Sequence, residues 1–300
     1  MVFFLLFFLK KVSVKQYFWR SNKKQMKKIL SIALSLGIVS VNAQQIKLEP
    51  GKKITSVSTA DMDMDMGMGG QIKIKSSTTN VLSITGNDDK NYKGTNTITK
   101  MTMSQEGMGQ STEYDSDKKT DRDSDIGKAV GKEIDKSVQI LIDKSTGIAS
   151  ELNPEKAVEP GAEPNPMAGI MGGIGEKTSA AMVSSAFFII PKGKKIGDKW
   201  SDSSTEAGMK GVRNYELQST SKDEATILLK TISKGVISKE SQGMQMEMNM
   251  TTTAQSIIKT NIITGLVKKN STSGTVEGTL DLMGQSMPIS MKMTSEVIFE

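Results

Sequence analysis

The sequence predicts a mainly β protein, built as a curved antiparallel sheet of half-barrel type with one or two short helices. Three observations carry that prediction. Apolar and polar residues alternate at period two through most of the chain after residue 50. Gly-rich and Thr-Gly steps punctuate those runs, as turns require. Helical periodicity surfaces only briefly.

The elements follow in order. Met62, Met64, Met66 and Met68 alternate with Asp61, Asp63, Asp65 and Gly67; Gly69-Gly70 reads as a turn, and Ile72 and Ile74 carry the alternation on. This is a hairpin. Further strands are expected near residues 80–85, 92–103, 109–114, 137–142 and 148–152, and then near 211–219, 224–230, 235–238, 244–253, 256–260, 265–271, 274–282 and 287–299. Ile126, Val130 and Ile134 recur four apart behind the acidic run 121–125, which predicts a short helix over 125–134. A second helix is expected within 176–187. Four of the seven prolines fall at Pro154, Pro160, Pro164 and Pro166, ahead of Gly-rich sequence. Residues 153–175 therefore read as a linker or loop between two β-rich halves, 44–152 and 176–300. Residues 142–148 (IDKSTGI) and 261–266 (NIITGL) share a strand, a Thr-Gly turn and a returning strand, so the sheet has the marks of a pseudo-duplication.

The leader comes from a separate pattern. Met26-Lys27-Lys28 opens a charge-free apolar stretch over 29–39, and Val41 and Ala43 stand at the −3 and −1 positions of a cleavage site before Gln44. That order is a secretory signal peptide over 26–43, and its apolar stretch is shorter than the roughly 20 residues a membrane span takes. Residues 1–25 fit no part of it and are read as an upstream extension, with Met26 the expected start. The mature chain is expected in the periplasm or outside the cell, with no membrane span of its own.

Removing the leader changes the composition argument. Residues 1–43 hold eight Lys/Arg and no Asp/Glu, which leaves 31 basic against 33 acidic residues and a net charge of −2. The basic balance that would suggest a nucleic-acid partner disappears with it. Of 21 methionines, 19 remain, while only one tryptophan, Trp200, survives. Histidine and cysteine are absent throughout. The commonest general base, the commonest metal ligand, any thiolate site and any lipobox cysteine are thus all missing.

Together four features resemble an uncharacterised family, a domain of unknown function found in secreted or lipid-anchored bacterial envelope proteins. They are the Met-rich hairpin, the Tyr114-Asp115-Ser116 step, the Asp143…Thr146-Gly147 turn and the segment 191–200 (PKGKKIGDKW), in that order. The resemblance covers most of residues 46–300. It implies a sheet similar to lipoprotein and lipid-carrier half-barrels, and brings no activity and no catalytic residues. Family members often carry a lipobox cysteine, and this chain departs from them there.

No other motif survives inspection. Asp61-x-Asp63-x-Asp65 opens like a calcium loop but has Met66 and Ile72 where Gly and Glu belong; the 121–125 run fails likewise, with Ile126 and Lys132. Glu176 breaks the Gly-Lys adjacency of a phosphate loop at 169–178. No spacing nominates a Ser-Lys dyad or a carboxylate pair. Gly197-Asp198-Lys199-Trp200 reads as a turn whose Trp200 is largely buried.

The methionine stripes are the remaining candidates. Met62, Met64, Met66 and Met68 share one strand face, Met244, Met246, Met248 and Met250 another, and Met101, Met103, Met287, Met291 and Met293 add to them. Three readings stand. Flexible thioethers fill the interior of a curved sheet; they line a groove for a lipid or other hydrophobic small molecule, or meet an envelope partner protein; or they bind Cu(I) or Ag(I). The expectation is an exported, non-enzymatic protein of unknown molecular function, with no catalytic residues and no cofactor, binding a hydrophobic ligand.

Overall fold

The computed structural model describes residues 46–67, 70–107, 109–124, 127–128, 131–153, 179–206, 209–241, 244–282 and 285–300. All lie in the unit spanning Val41–Glu300. The signal peptide and upstream extension fall outside the described residues, as does nearly all of the 153–175 linker.

Twelve strands make one antiparallel sheet. In chain order they are β1 (Lys53–Asp65), β2 (Gln71–Asn87), β3 (Asn91–Gly107), β4 (Gln110–Asp115), β5 (Ser137–Asp143), β6 (Ala149–Glu151), β7 (Lys199–Glu206), β8 (Met209–Thr220), β9 (Glu224–Ser241), β10 (Met244–Asn261), β11 (Val267–Leu282) and β12 (Gln285–Phe299). Across the sheet the order is β6-β5-β3-β2-β1-β12-β11-β10-β9-β8-β7, with β4 paired to the far half of β3. The two terminal strands thus pair in the middle, with Met64 opposite Met291.

The predicted first hairpin forms as read: Met64 lies opposite Ile72 and Met62 opposite Ile74. In the second half the strands are longer than the alternation suggested. Segments 224–230 and 235–238 are one strand, β9; β10 and β11 each absorb two predicted pieces as well. Gly278 shows why a glycine there does not end a strand. A Cβ on it would stand 2.1 Å from the Asn249 carbonyl oxygen of β10, so the residue marks close backbone approach. Strand β7 (KWSDSSTE) escaped prediction because it is polar at every position but Trp200. It is an edge strand with one neighbour.

α1 (Lys119–Arg122) precedes the 125–134 window; within that window the described residues 127–128 are helical, with Lys128 N–H donating to the Ser124 carbonyl at 2.8 Å, and a 3-10 turn, Gly131–Glu133, leads to Ile134, which is bridged to Ile98 of β3. Asp135 then adopts φ 63°, and helix cannot continue through it. α2 (Ser179–Ser184) lies within the second predicted window.

Packing shows how strongly the sheet curls. A first apolar cluster joins Ala149 of β6, Ile140 of β5, Leu217 of β8 and Ile227 of β9 around Val183 and Phe187. A second cluster runs through Ile72 and Ile74 of β2, Met64 of β1, Met291 of β12, Val276 of β11 and Met248 of β10. Two strands separate β1 from β10, a span of about 14 Å on a flat sheet. Met64 and Met248 nevertheless line one void of about 20 Å³, so the sheet curves toward that face.

The first cluster closes one end. There the 142–148 and 261–266 similarity becomes geometry. The Asp143 carboxylate accepts the N–H groups of Ser145 and Thr146, each at 2.8 Å; the Asn261 side-chain oxygen accepts those of Ile263 and Thr264, each at 2.9 Å. Gly147 and Gly265 follow at φ 76° and 73°. The segment before β1 bridges both turns: Ile46 N–H donates to the Lys144 carbonyl at 3.2 Å, and Lys47 N–H to that of Thr264 at 3.1 Å. The Tyr92 hydroxyl donates to the Ile46 carbonyl at 3.1 Å.

Candidate functional site

The second cluster sits at the opposite end of the concave face. Period-two geometry turns Met62 and Met64 of β1, with Met66 just beyond its end, to one side and Asp61, Asp63 and Asp65 to the other. Those aspartates are exposed, Met64 is buried, and Met62 and Met66 are half-buried. On β10 the pattern repeats, with Met248 and Met250 buried around exposed Glu247 and Asn249. Register then brings the two sets together. Met248 lies opposite Leu280, Met250 opposite Gly278, and β12 places Met291 beside Met64 on one flank and Val276 on the other. Met64, Met248, Met250 and Met291 are 4–7% exposed. Half-buried Met62, Met66, Met103, Met209, Met287 and Ile289 surround them.

A cavity of about 20 Å³ remains at the centre, lined by Met64, Met66, Met248, Met250 and Met291 with Val276, Leu280, Ile289 and Ser290. That is room for one water, but a buried water needs two to four polar partners and this lining offers one polar residue. The cavity is therefore an apolar void walled by flexible thioether chains.

Between the two apolar clusters the concave face turns polar. Ser58, Ser76, Thr78 and Thr252 are half-buried there. Deeper in, the Ser256 and Thr272 hydroxyls bond each other at 2.8 Å. Asn80 and Asn96 are 5% and 2% exposed, and the Asn80 side-chain oxygen and the Asn96 side-chain nitrogen have no partner among the described residues. Asn80 stands at a β-bulge, where pairing with β3 shifts register after Thr79.

One ionic group lies on the concave side of β7 and β8. Arg213 donates to both Asp202 carboxylate oxygens, at 2.7 and 3.1 Å, and the Tyr215 hydroxyl reaches the same carboxylate at 3.3–3.4 Å. Burial, joined by the Asp202 charge and hydrogen bond against an opposing pull from Arg213, pushes the Tyr215 hydroxyl up to about 12. Trp200 stacks on Tyr215 with centroids 5.3 Å apart and planes 8° from parallel. Contrary to the sequence expectation Trp200 is only half-buried, because β7 is an edge strand; Lys194 Nζ lies 5.4 Å from its ring centroid. A second cleft of about 380 Å³ runs over β7–β9, lined by Lys199, Ser201, Asn214, Glu216 and Lys230 among others. Trp200, Tyr215 and Leu228 share that lining.

Of the sequence-predicted residues, then, Met62, Met64, Met66, Met103, Met248 and Met250 come together. Met101 stays half-buried outside the cluster, its backbone paired with Ser116. Met68 and the side chains of Met244 and Met246 lie outside the described residues. The sequence reading passed over Val276, Leu280 and Met209. Their signal was the same alternation, but the registers that align it with Met248 and Met250 are long-range. Among the described residues no three His, Cys, Asp or Glu converge as a metal site, and no helix is long and apolar enough to cross a membrane.

The profile of a family of unknown function, DUF6263, matches residues 89–267, more than half of the chain. The chain belongs to DUF6263. The match takes in β3 to β10, hence Met103, Met248 and Met250, while Met64 and Met291 lie outside it. No curated protein sequence matches the DUF6263 chain. Among solved structures it is similar to lipovitellin, in a structure described as showing lipid–protein interactions. There the identity is 11% and the TM-score 0.49, over 85% of this chain and 25% of that one, so the chain spans about a quarter of lipovitellin's length. It is also similar to OccK5 (OpdH) of Pseudomonas aeruginosa, at 7% identity and TM-score 0.23 over 84% of this chain and 99% of that one. A porin mutant of Rh. blastica follows at 7% and 0.22, over 83% and 100%. Likeness at this level says nothing of what the DUF6263 chain binds.

Proposed function

We propose that this DUF6263 chain is an exported, non-enzymatic binding protein that holds a hydrophobic molecule of the lipid class at the methionine end of its concave face. The observation that carries this reading is the void walled by Met64, Met66, Met248, Met250 and Met291, in a cluster separate from the main core. A core that only has to be stable is best filled by branched side chains with few rotamers. Methionine has three rotatable bonds and fits irregular shapes, so a methionine-walled void can be remade around a guest. An acyl chain would enter by swinging half-buried Met62 and Met66 aside. The half-buried polar band next to the cluster would then face the guest's polar end. A methionine face meeting a partner chain is less favoured, because Met64, Met248, Met250 and Met291 are buried within this chain.

Titration with a fluorescent fatty acid tests the reading. Saturable binding of one probe per chain, displaced by unlabelled fatty acid and lost in Met250→Asp, is expected. No saturable binding to folded protein would overturn it. Export rests on the order of charge, apolar stretch and small residues over 26–43. N-terminal sequencing of the exported protein should begin at Gln44.

A further inference from the structure

We propose that the same void is a thioether site for one soft monovalent cation, Cu(I) or Ag(I). Four methionines from β1, β10 and β12 line it with Met66, just past β1, and among the described residues no carboxylate or amine does. Thioethers are neutral, soft donors. They select Cu(I) and Ag(I) and leave Zn²⁺, Mg²⁺ or Ca²⁺ without the imidazole, thiolate or oxygen ligands those ions take. The size also fits: about 20 Å³ admits a bare ion and nothing larger unless the walls move.

Charge supplies the second observation. A cation among neutral donors must be stabilised from further out. The outward faces of the strands that make the void carry Asp63 and Asp65 on β1, Glu247 on β10, and Glu277 and Asp281 on β11. Lys73 and Lys292 flank Asp63. Glu247 and Asp281 are directly opposite each other across β10 and β11. Like charges so placed ordinarily destabilise a sheet. They lie one sheet thickness behind Met248 and Leu280, within a Debye length of the void, and their field favours a cation there. The strand pattern thus turns thioethers inward and carboxylates outward around one point.

The site does not depend on the hydrophobic-ligand reading, because silver retention and fatty-acid binding are read separately on the unsubstituted protein. Met→Leu keeps volume and apolar character and removes the donor. The experiment is a titration of the mature protein with Ag(I), read by native mass spectrometry and by the shift of its thermal unfolding. The expected result is one retained Ag(I) per chain and a raised unfolding temperature, with Zn²⁺ giving neither. Affinity should fall at least tenfold in Met64→Leu/Met250→Leu, whose cooperative thermal unfolding in the absence of silver shows that it is folded. It should hold in Met101→Leu/Met293→Leu, whose methionines do not line the void. No retained Ag(I), or silver held equally by the Met64→Leu/Met250→Leu protein, would overturn the proposal.

Discussion

Gly147→Ala should be far more damaging than an alanine at another left-handed glycine. Gly147 sits at φ 76° in the turn that the 46–47 segment bridges. A Cβ there would lie 2.7 Å from the Phe187 Cβ and 2.8 Å from the Ile46 Cδ1. Gly193 has a similar φ of 83°, but a Cβ on it meets nothing within 4 Å. Both substitutions carry the left-handed penalty, about 1–2 kcal/mol. Only Gly147→Ala adds overpacking, about 1–3 kcal/mol, since its neighbours are the Phe187 Cβ, tied directly to the backbone, and the Ile46 side chain, which is 2% exposed. The expected total is therefore about 2–5 kcal/mol for Gly147→Ala against about 1–2 kcal/mol for Gly193→Ala. Urea unfolding followed by far-UV circular dichroism measures both, with the denaturant slope held as the check on two-state behaviour. Equal losses in the two variants would refute the claim that Ile46 and Phe187 pack against this turn.

Further predictions follow from the same geometry. Asp143→Asn should be nearly neutral at pH 7, because Asn261 performs the same task in the twin turn, whereas Asp143→Ala should cost about 1 kcal/mol in urea unfolding. Hydrogen bonds from the Ser145 hydroxyl and then the Thr146 N–H hold the Asp143 carboxyl below its ordinary 3.8; the folded state binds this proton less readily than the unfolded. Its contribution is present above pH 3.8 and is lost as pH falls further, so the gap between wild type and Asp143→Ala should narrow in acid, read by urea midpoints at each pH. Tyr215 should ionise near pH 12 rather than 10, detected by tyrosinate absorbance and by quenching of the stacked Trp200; its stabilising effect is complete below pH 10 and fades as pH rises toward 12. Met64→Ala should cost about 2–5 kcal/mol and Met64→Leu less than about 1.5 kcal/mol, by the same unfolding assay, because the first leaves a cavity and the second fills it.

Much of the sheet was legible because alternation is a local signal. The hairpin over 61–74 carries its turn, its register cue and its buried face within one short segment. Strand β7 was not legible, since an edge strand buries little and its polar sequence leaves no period to detect. The window 125–134 was legible in part: residues 127–128 are helical, but Ile134, which recurs at helical spacing, pairs with Ile98, a partner no local pattern reveals. The site divides in the same way. That Met62, Met64, Met66, Met248 and Met250 share faces was readable; that those faces meet, with Met291 between them, depends on β1 pairing with β12 and on the curl of the whole sheet. Burial of Asn80 and Asn96 was also beyond the sequence, because a polar residue on an alternating strand face ordinarily marks the solvated side.

These parts combine into one account. The segment at 46–48, α2 and the two Asx-type turns close one end of a rolled sheet with ordinary branched and aromatic packing. The other end is closed by methionine, which can yield. The most direct test of the central claim is native mass spectrometry of the protein extracted under mild conditions from the cells that make it. The account predicts a bound apolar molecule of lipid mass on the folded chain, released by organic solvent and absent from Met250→Asp. Folded protein that repeatedly carries nothing, and that takes up no fatty acid when offered it, would contradict the account.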